Sequence, residues 1–277
     1  MGADIREKNH LAIEYFERAN EILDYDLTKI MLEDPDEVLR RTCYAQPAIF
    51  LHSVILAKTT RAFKPDMVAG HSLGEFSALV SNRALSFGDG LRLVQERANA
   101  MQTACEAVPS TMAAVLGLED DIVEEVCNGI DEVVVAANYN SPEQLVISGS
   151  LEGIKIASEK LMDAGARRCI TLKVAGAFHS PIMEPAKEQF AAALEKVAFR
   201  KPICPIYQNV DAMPTSDVEV IKANLIKQIT APVMWKQTIL NMAEEGAREF
   251  IEIGPKPVLS GMVRKITGRE ITTSITN

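Results

Sequence analysis

The chain has 277 residues, 47% of them hydrophobic, enough for a large buried core in one α/β domain or one with an inserted module. Its 29 basic and 38 acidic residues leave a net charge of −9, which argues against nucleic acid as a bulk partner. No apolar run approaches membrane-spanning length and no signal-peptide pattern opens the chain, while Cys43, Cys105, Cys127, Cys169 and Cys204 are scattered and odd in number, the pattern of a reduced cytoplasm.

In chain order, Ile5 to Ala19 reads as a charged amphipathic helix, followed by short helical pieces at Leu27–Met31 and Pro35–Arg40. Pro47 to Lys58 is an apolar helix. Asp66 to Ala69 is a short buried strand, and Glu75 to Val80 has helical spacing. Ser86 starts a helix that its periodicity carries to Ala107. From Thr111 the rhythm changes. Met112–Leu116 reads as a strand, Glu119–Gly129 as a helix, Val133–Ala137 and Gln144–Ser148 as strands around a turn at 138–143, Leu151–Ala164 as a helix and Arg168–Val174 as a strand. That order, β-α-β-β-α-β, predicts a ferredoxin-like module at 109–174. It is inserted into a larger α/β domain made of 1–108 and 175–277, because α/β patterning then resumes. Helices are expected at Pro185–Val197, Glu219–Ile229, Met234–Glu244 and Pro257–Ile266, and strands at Ile203–Asn209 and Glu249–Ile253.

Between the strand ending at Ala69 and the helix from Glu75 stands Gly70-His71-Ser72-Leu73-Gly74. Gly-x-Ser-x-Gly alone is often an ordinary glycine-rich turn. Between a strand and a helix it reads as a nucleophile elbow, with the Ser72 hydroxyl over a helix N-terminus whose partial positive charge favours an oxyanion. A serine hydroxyl needs a base. Of the four histidines, His10 lies on a charged helix and reads as solvated, and His52 sits in an apolar helix and reads as packed. His71 adjoins Ser72 and points away from it in a sharp turn. His179 remains, on the loop Gly176-Ala177-Phe178-His179-Ser180 before a proline-bounded helix. The group that orients it can be a carboxylate or a carbonyl; Asp211 is the acidic candidate, though a turn aspartate is its better reading. Arg97 follows Leu93 and precedes Met101 at helical spacing among apolar neighbours, so it either snorkels or faces an anion in a pocket. No metal-ligand spacing, phosphate loop or dinucleotide fingerprint is present.

Gly70-His71-Ser72-Leu73-Gly74-Glu75-Phe76-Ser77-Ala78, Arg92-Leu93-Val94-Gln95-Glu96-Arg97 with Met101-Gln102, Asn138-Tyr139-Asn140-Ser141-Pro142, Gly176-Ala177-Phe178-His179-Ser180 and Ile253-Gly254-Pro255, in this order, resemble the malonyl-CoA:acyl carrier protein transacylases of bacterial fatty acid synthesis. The resemblance covers essentially the whole chain. It implies an α/β-hydrolase-like large domain with the ferredoxin-like insert, and ping-pong transfer of malonyl from CoA to the phosphopantetheine thiol of acyl carrier protein. It needs no cofactor and implies a cytoplasmic monomer. Ser72 is then the nucleophile and His179 the base, held by the backbone carbonyl of Gln228. The Leu73 N–H is an oxyanion donor, and Arg97 pairs with the malonyl carboxylate. Met101, Gln46, Asn140 and Gln144 match positions near the cleft, and Phe178 matches the malonyl-selecting form.

The resemblance further implies a strand and a Gly-Gln-Gly loop ahead of the residues that match Met1-Gly2-Ala3-Asp4. That loop supplies the second oxyanion donor, whose loss typically lowers rate about 10²–10³-fold; on that expectation this chain by itself is weakly active or poorly stable. Acyl carrier proteins are acidic, so a basic docking face is expected at Arg167, Arg168 and Lys173, which a solvated strand edge explains equally. The competing readings are a serine esterase or thioesterase, a non-enzymatic acyltransferase-like binding module, and a discrete acyltransferase serving a polyketide synthase.

Overall fold

A computed structural model describes residues 1–60, 63–268 and 272–276. The N-terminal stretch forms α1 (Ala3–Lys8), α2 (His10–Leu23), α3 (Leu27–Glu33), a 3-10 turn at Pro35–Arg40 and α4 (Thr42–Thr59). The first two replace the single helix expected from Ile5 to Ala19. Asn9 breaks it: its backbone is extended and its side chain accepts the Leu11 N–H, capping α2. α4 starts before Pro47 rather than at it. A proline inside a helix leaves the carbonyl four residues back without its donor; here that is the Cys43 carbonyl, which accepts from Gln95 Nε2 at 3.3 Å.

β1 (Val68–Ala69) leads into α5 (Gly74–Ser81), and α6 (Phe87–Ala107) follows, capped by Ser86 Oγ accepting the Asp89 N–H. α4 is apolar on nearly all sides and buried from Phe50 to Ala57, as a central helix must be. Phe16, Phe50, Phe76, Leu79, Leu91 and Phe190 form the heart of this main core.

The middle of the chain is β2 (Ser110–Leu116), α7 (Asp120–Asn128), β3 (Val134–Ser141), β4 (Gln144–Ser150), α8 (Leu151–Asp163) and β5 (Arg168–Thr171). The strands pair antiparallel in the order β3-β4-β2-β5. Side chains alternate between two cores. Ala113, Val115, Leu145 and Ile147 pack with Ile154 and Leu161 of α8, while Met112, Ala137 and Val146 face the other way, toward Phe178. The turn expected at 138–143 shrinks to Pro142 and Glu143, because β3 continues through Asn138 and Asn140 across two register shifts. Those shifts aim Asn138 at the rest of the molecule. Tyr139 N donates to Val233 O at 2.9 Å and Val233 N to Ala137 O at 2.8 Å.

The chain closes with α9 (Glu184–Leu194), β6 (Ile206–Tyr207), β7 (Pro214–Thr215), α10 (Val218–Gln228), α11 (Trp235–Glu244), β8 (Glu249–Ile253), α12 (Leu259–Thr267) and β9 (Thr272–Thr276). β1 runs parallel to β6, pairing Val68 with Ile206 and Ala69 with Tyr207, so the chain enters the Ser72 turn beside the loop that leaves β6. β7 and β9 have no counterpart in the sequence reading. The strand expected over Ile203–Asn209 is reduced to two residues. The result is a mixed α/β fold.

Candidate active site

The Gly70–Gly74 turn closes tightly at its first glycine. A Cβ on Gly70 would lie 1.9 Å from the Gly74 carbonyl carbon, so no larger residue fits. Ser72 takes a left-handed backbone, φ 51°, a conformation that costs a non-glycine residue about 1–3 kcal/mol unless its surroundings hold it. They do. Ser72 N–H donates to Asn209 Oδ1 at 2.7 Å, Asn209 Nδ2 donates to Gly70 O at 2.7 Å, and Gln228 Nε2 donates to Ser72 O at 3.0 Å.

Ser72 Oγ lies 2.8 Å from His179 Nε2, and His179 Nδ1 lies 2.8 Å from the Gln228 carbonyl oxygen. A carbonyl only accepts, so Nδ1 carries the proton and Nε2 is free to take one from the serine. His179 is itself left-handed, φ 59°, and its loop is pinned by serines. Ser148 Oγ of β4 donates to Phe178 O at 2.7 Å, Ser110 Oγ of β2 accepts Ala177 N–H at 3.1 Å, and Ser180 Oγ donates to Ala177 O at 2.7 Å. The loop crosses α6 where only glycine fits, since a Cβ on Gly176 would meet Cys105 Sγ at 2.4 Å. Burial, and then the nearby Arg97 cation, push the His179 pKa down to about 3, so the ring is neutral near pH 7 and its Nε2 lone pair faces the serine hydroxyl, although the same surroundings lower its basicity. The other histidines are placed as their sequence neighbourhoods suggest. His10 is exposed beside Glu14, His52 is buried in α4, and His71 turns away from Ser72 to meet Asn140 Oδ1 at 2.9 Å. Asp211 is a turn residue, accepting from Met213 N and Asn224 Nδ2.

Arg97 is 1% exposed. Its Nη2 donates to Ser72 Oγ and to Gln228 Oε1, both at 3.0 Å, and its Nη1 donates to Gln46 Oε1. Met101 Sδ and Thr42 Oγ1 receive the Gln46 amide in turn. Among the described residues no carboxylate pairs with Arg97, and its Nε has no acceptor. Burial lowers its pKa to about 10, with Glu75 opposing, so it stays charged at neutral pH. Arg97 is thus a buried cation held by neutral oxygens, with its guanidinium carbon 5.8 Å from the Phe76 ring centroid, and it stands beside a serine hydroxyl with no anionic partner among the described residues.

Leu73 N–H opens the first turn of α5 and makes no hydrogen bond among the described residues, leaving it free for an oxyanion. Phe178 is half-buried against the module face that holds Met112 and Val146. Asn140 reaches the site through His71. Gln144 starts β4 at the hairpin, where its Oε1 meets Ser141 Oγ and Lys265 Nζ. Of the three basic residues at the strand edge, Arg167 already pairs with Glu143, while Arg168 and Lys173 are exposed. Sequence reasoning passed over Asn209 and Glu75, both wholly buried. Glu75 was visible as an acid on a helix otherwise lined with apolar residues. Among the described residues no group of His, Cys, Asp and Glu is arranged to hold a metal, and no helix is long and apolar enough to cross a membrane.

The chain is similar to known proteins over its whole length. The family model described as an acyl transferase domain matches residues 1–273. A malonyl CoA-acyl carrier protein transacylase of Staphylococcus aureus (strain MRSA252) is 38% identical over 278 residues, covering 99% of this chain and 90% of that protein. The solved malonyl CoA-acyl carrier protein transacylase of Coxiella burnetii superposes with a TM-score of 0.96 at 33% identity, covering 100% of this chain and 89% of that one. A malonyl-transacylase in complex with the acyl carrier protein of a type II PKS superposes with a TM-score of 0.94 at 33% identity, over 100% and 91% of the two chains. With a serine–histidine pair on a strained elbow and a family match that spans it, this chain belongs to the acyl transferase domain family.

Proposed function

We propose that this protein moves a malonyl group from malonyl-CoA to the phosphopantetheine thiol of acyl carrier protein through a malonyl-serine intermediate. The observation that carries the reading is the contact between Arg97 and Ser72: a fixed cation 3.0 Å from the hydroxyl suits an acyl group that bears its own carboxylate.

In the first half-reaction Ser72 Oγ gives its proton to His179 Nε2 and bonds to the thioester carbonyl carbon. The oxyanion takes the Leu73 N–H. The carbon–sulfur bond breaks, and CoA leaves as a thiol with the proton from His179. In the second, the carrier thiol gives its proton to His179 and its sulfur attacks the ester. Ser72 leaves with that proton returned. The Gln228 carbonyl holds the Nδ1 proton throughout, so no carboxylate is required.

The same reading treats residues 109–174, with their β-α-β-β-α-β order, as a ferredoxin-like domain inserted in an α/β-hydrolase-like domain of 1–108 and 175–277. It gives Phe178, Met101, Gln46 and Asn140 to the substrate pocket, leaves Arg168 and Lys173 as the free cations of a carrier-docking edge beside Arg167, and places a monomeric enzyme in the cytoplasm. The carrier is that of fatty acid synthesis. Likeness to a type II PKS transacylase makes a polyketide carrier the second reading. Transfer of labelled malonyl to holo carrier but not to apo carrier tests the function, and competition between the two carrier types tests the source. Release of free malonate at the same rate with and without carrier would make the protein a thioesterase instead.

A further inference from the structure

We infer that Asn209 is a positioning residue for the nucleophile: its carboxamide grips the elbow at two backbone points and sets the Ser72 backbone, and Glu75 fixes Asn209 from the elbow helix. The inference rests on the reading of Ser72 as nucleophile.

Asn209 leaves β6 beside the end of β1, so it stands next to the turn that β1 feeds. Its Oδ1 accepts the Ser72 N–H and its Nδ2 donates to Gly70 O, each at 2.7 Å. These two groups flank His71, so the grip fixes the backbone that enters the left-handed serine. Holding both requires an acceptor and a donor on adjacent atoms, and a carboxamide carries that pair. Aspartate keeps the acceptor and loses the donor; alanine loses both. Oδ1 also receives Gln228 Nε2 at 3.3 Å, which ties the grip to the residue whose carbonyl holds His179.

The Asn209 backbone is equally committed. Its N–H donates to Glu75 Oε1, and its carbonyl accepts Met234 N–H at 2.8 Å. Glu75 lies in the first turn of α5, so the helix behind the serine and the loop that grips the serine brace each other. The contact with Ser72 N–H has a chemical consequence. That N–H is taken up and cannot serve an oxyanion, so on this side of the site the donor is Leu73 N–H.

The test uses the full chain as wild type, Asn209→Asp, Asn209→Ala and Glu75→Gln. It measures Ser72 labelling by a fluorophosphonate, pre-steady-state malonyl-enzyme formation, KM for malonyl-CoA and active-site titre. A misplaced nucleophile typically costs about 10²-fold, so both Asn209 variants should acylate about 10²-fold more slowly per folded molecule while KM stays within about twofold. Glu75→Gln keeps an oxygen acceptor for the Asn209 N–H and should retain most of the wild-type rate. Asn209→Asp, matched in shape, carries the test if the alanine variant does not fold. Wild-type rates per titrated site in Asn209→Asp, or a loss explained wholly by a smaller folded fraction, would overturn the inference. Absence of label on Ser72 in the wild type would instead remove the nucleophile reading beneath it.

Discussion

Arg97 Nη2 donates to Ser72 Oγ at 3.0 Å, so the buried cation rests on the elbow serine's hydroxyl. With no carboxylate paired to it among the described residues, Arg97 favours the serine oxygen as negative charge develops there. A substrate carboxylate would give the guanidinium the partner it lacks. An acyl group without a carboxylate would leave it unpaired, and on the proposed function that difference is what selects the substrate.

Arg97→Ala should therefore lower kcat/KM for malonyl-CoA about 10²–10⁴-fold, because removing one partner of a buried charge pair costs about 3–5 kcal/mol. Acetyl-CoA should be used at least as well as before. Steady-state kinetics with both thioesters measure this, and an equal fall for the two would deny Arg97 its selective role.

The buried titratable groups set opposite limbs of the pH–stability profile. The His179 pKa falls from 6.5 to about 3 on burial. Below pH 6.5 the unfolded chain takes up a proton that the folded one refuses, so stability drops as pH falls through that window. The Glu75 pKa rises from 4.5 to about 8. Its contribution is full below pH 4.5 and is lost as pH rises through about 8. Urea unfolding across pH should show a smaller fall in stability from pH 4.5 to about 8 in Glu75→Gln and a smaller fall from pH 6.5 down to about 3 in His179→Gln. Unchanged limbs would mean that these groups titrate alike in both states.

Ser148 is on β4 of the central module, yet its hydroxyl holds the carbonyl next to His179. Ser148→Ala leaves a buried carbonyl without its donor, a cost of about 1–3 kcal/mol. Unfolding should shift by that amount and kcat should fall with little change in KM; a kcat equal to wild type would show that the loop holds its shape without this bond.

The two elbow glycines differ. A Cβ on Gly70 would sit 1.9 Å from backbone, whereas one on Gly74 meets nothing within 4 Å. Gly70→Ala should abolish soluble, active protein. Gly74→Ala should stay folded, with up to about 1 kcal/mol gained from helix propensity at the start of α5. Thermal unfolding and malonyl transfer of the pair check this, and a folded, active Gly70→Ala would mean that the turn is looser than its geometry.

The sequence pattern made much of this legible, for identifiable reasons. Ser72 stood out because a strand, small residues and a helix surround it, and His179 because the other histidines had simpler explanations. The β-α-β-β-α-β order followed from alternation that the two-sided sheet preserves. Local patterns failed where distant partners decide. Pro47 lies inside α4 because Gln95, far along the chain, takes up the carbonyl it frees. Asn138 and Asn140 look like turn residues, but register shifts make them strand and point Asn138 toward Val233. Asn209 gave no signal, because its role depends on Ser72 and Gly70, which meet it only in the folded chain.

Intact mass spectrometry after incubation with malonyl-CoA or acetyl-CoA tests the central claim most directly. The account predicts a single malonyl adduct on the wild type that acyl carrier protein removes, little acetyl adduct, and no adduct on Ser72→Ala. A malonyl adduct that persists on Ser72→Ala, or equal loading of acetyl and malonyl on the wild type, would contradict it.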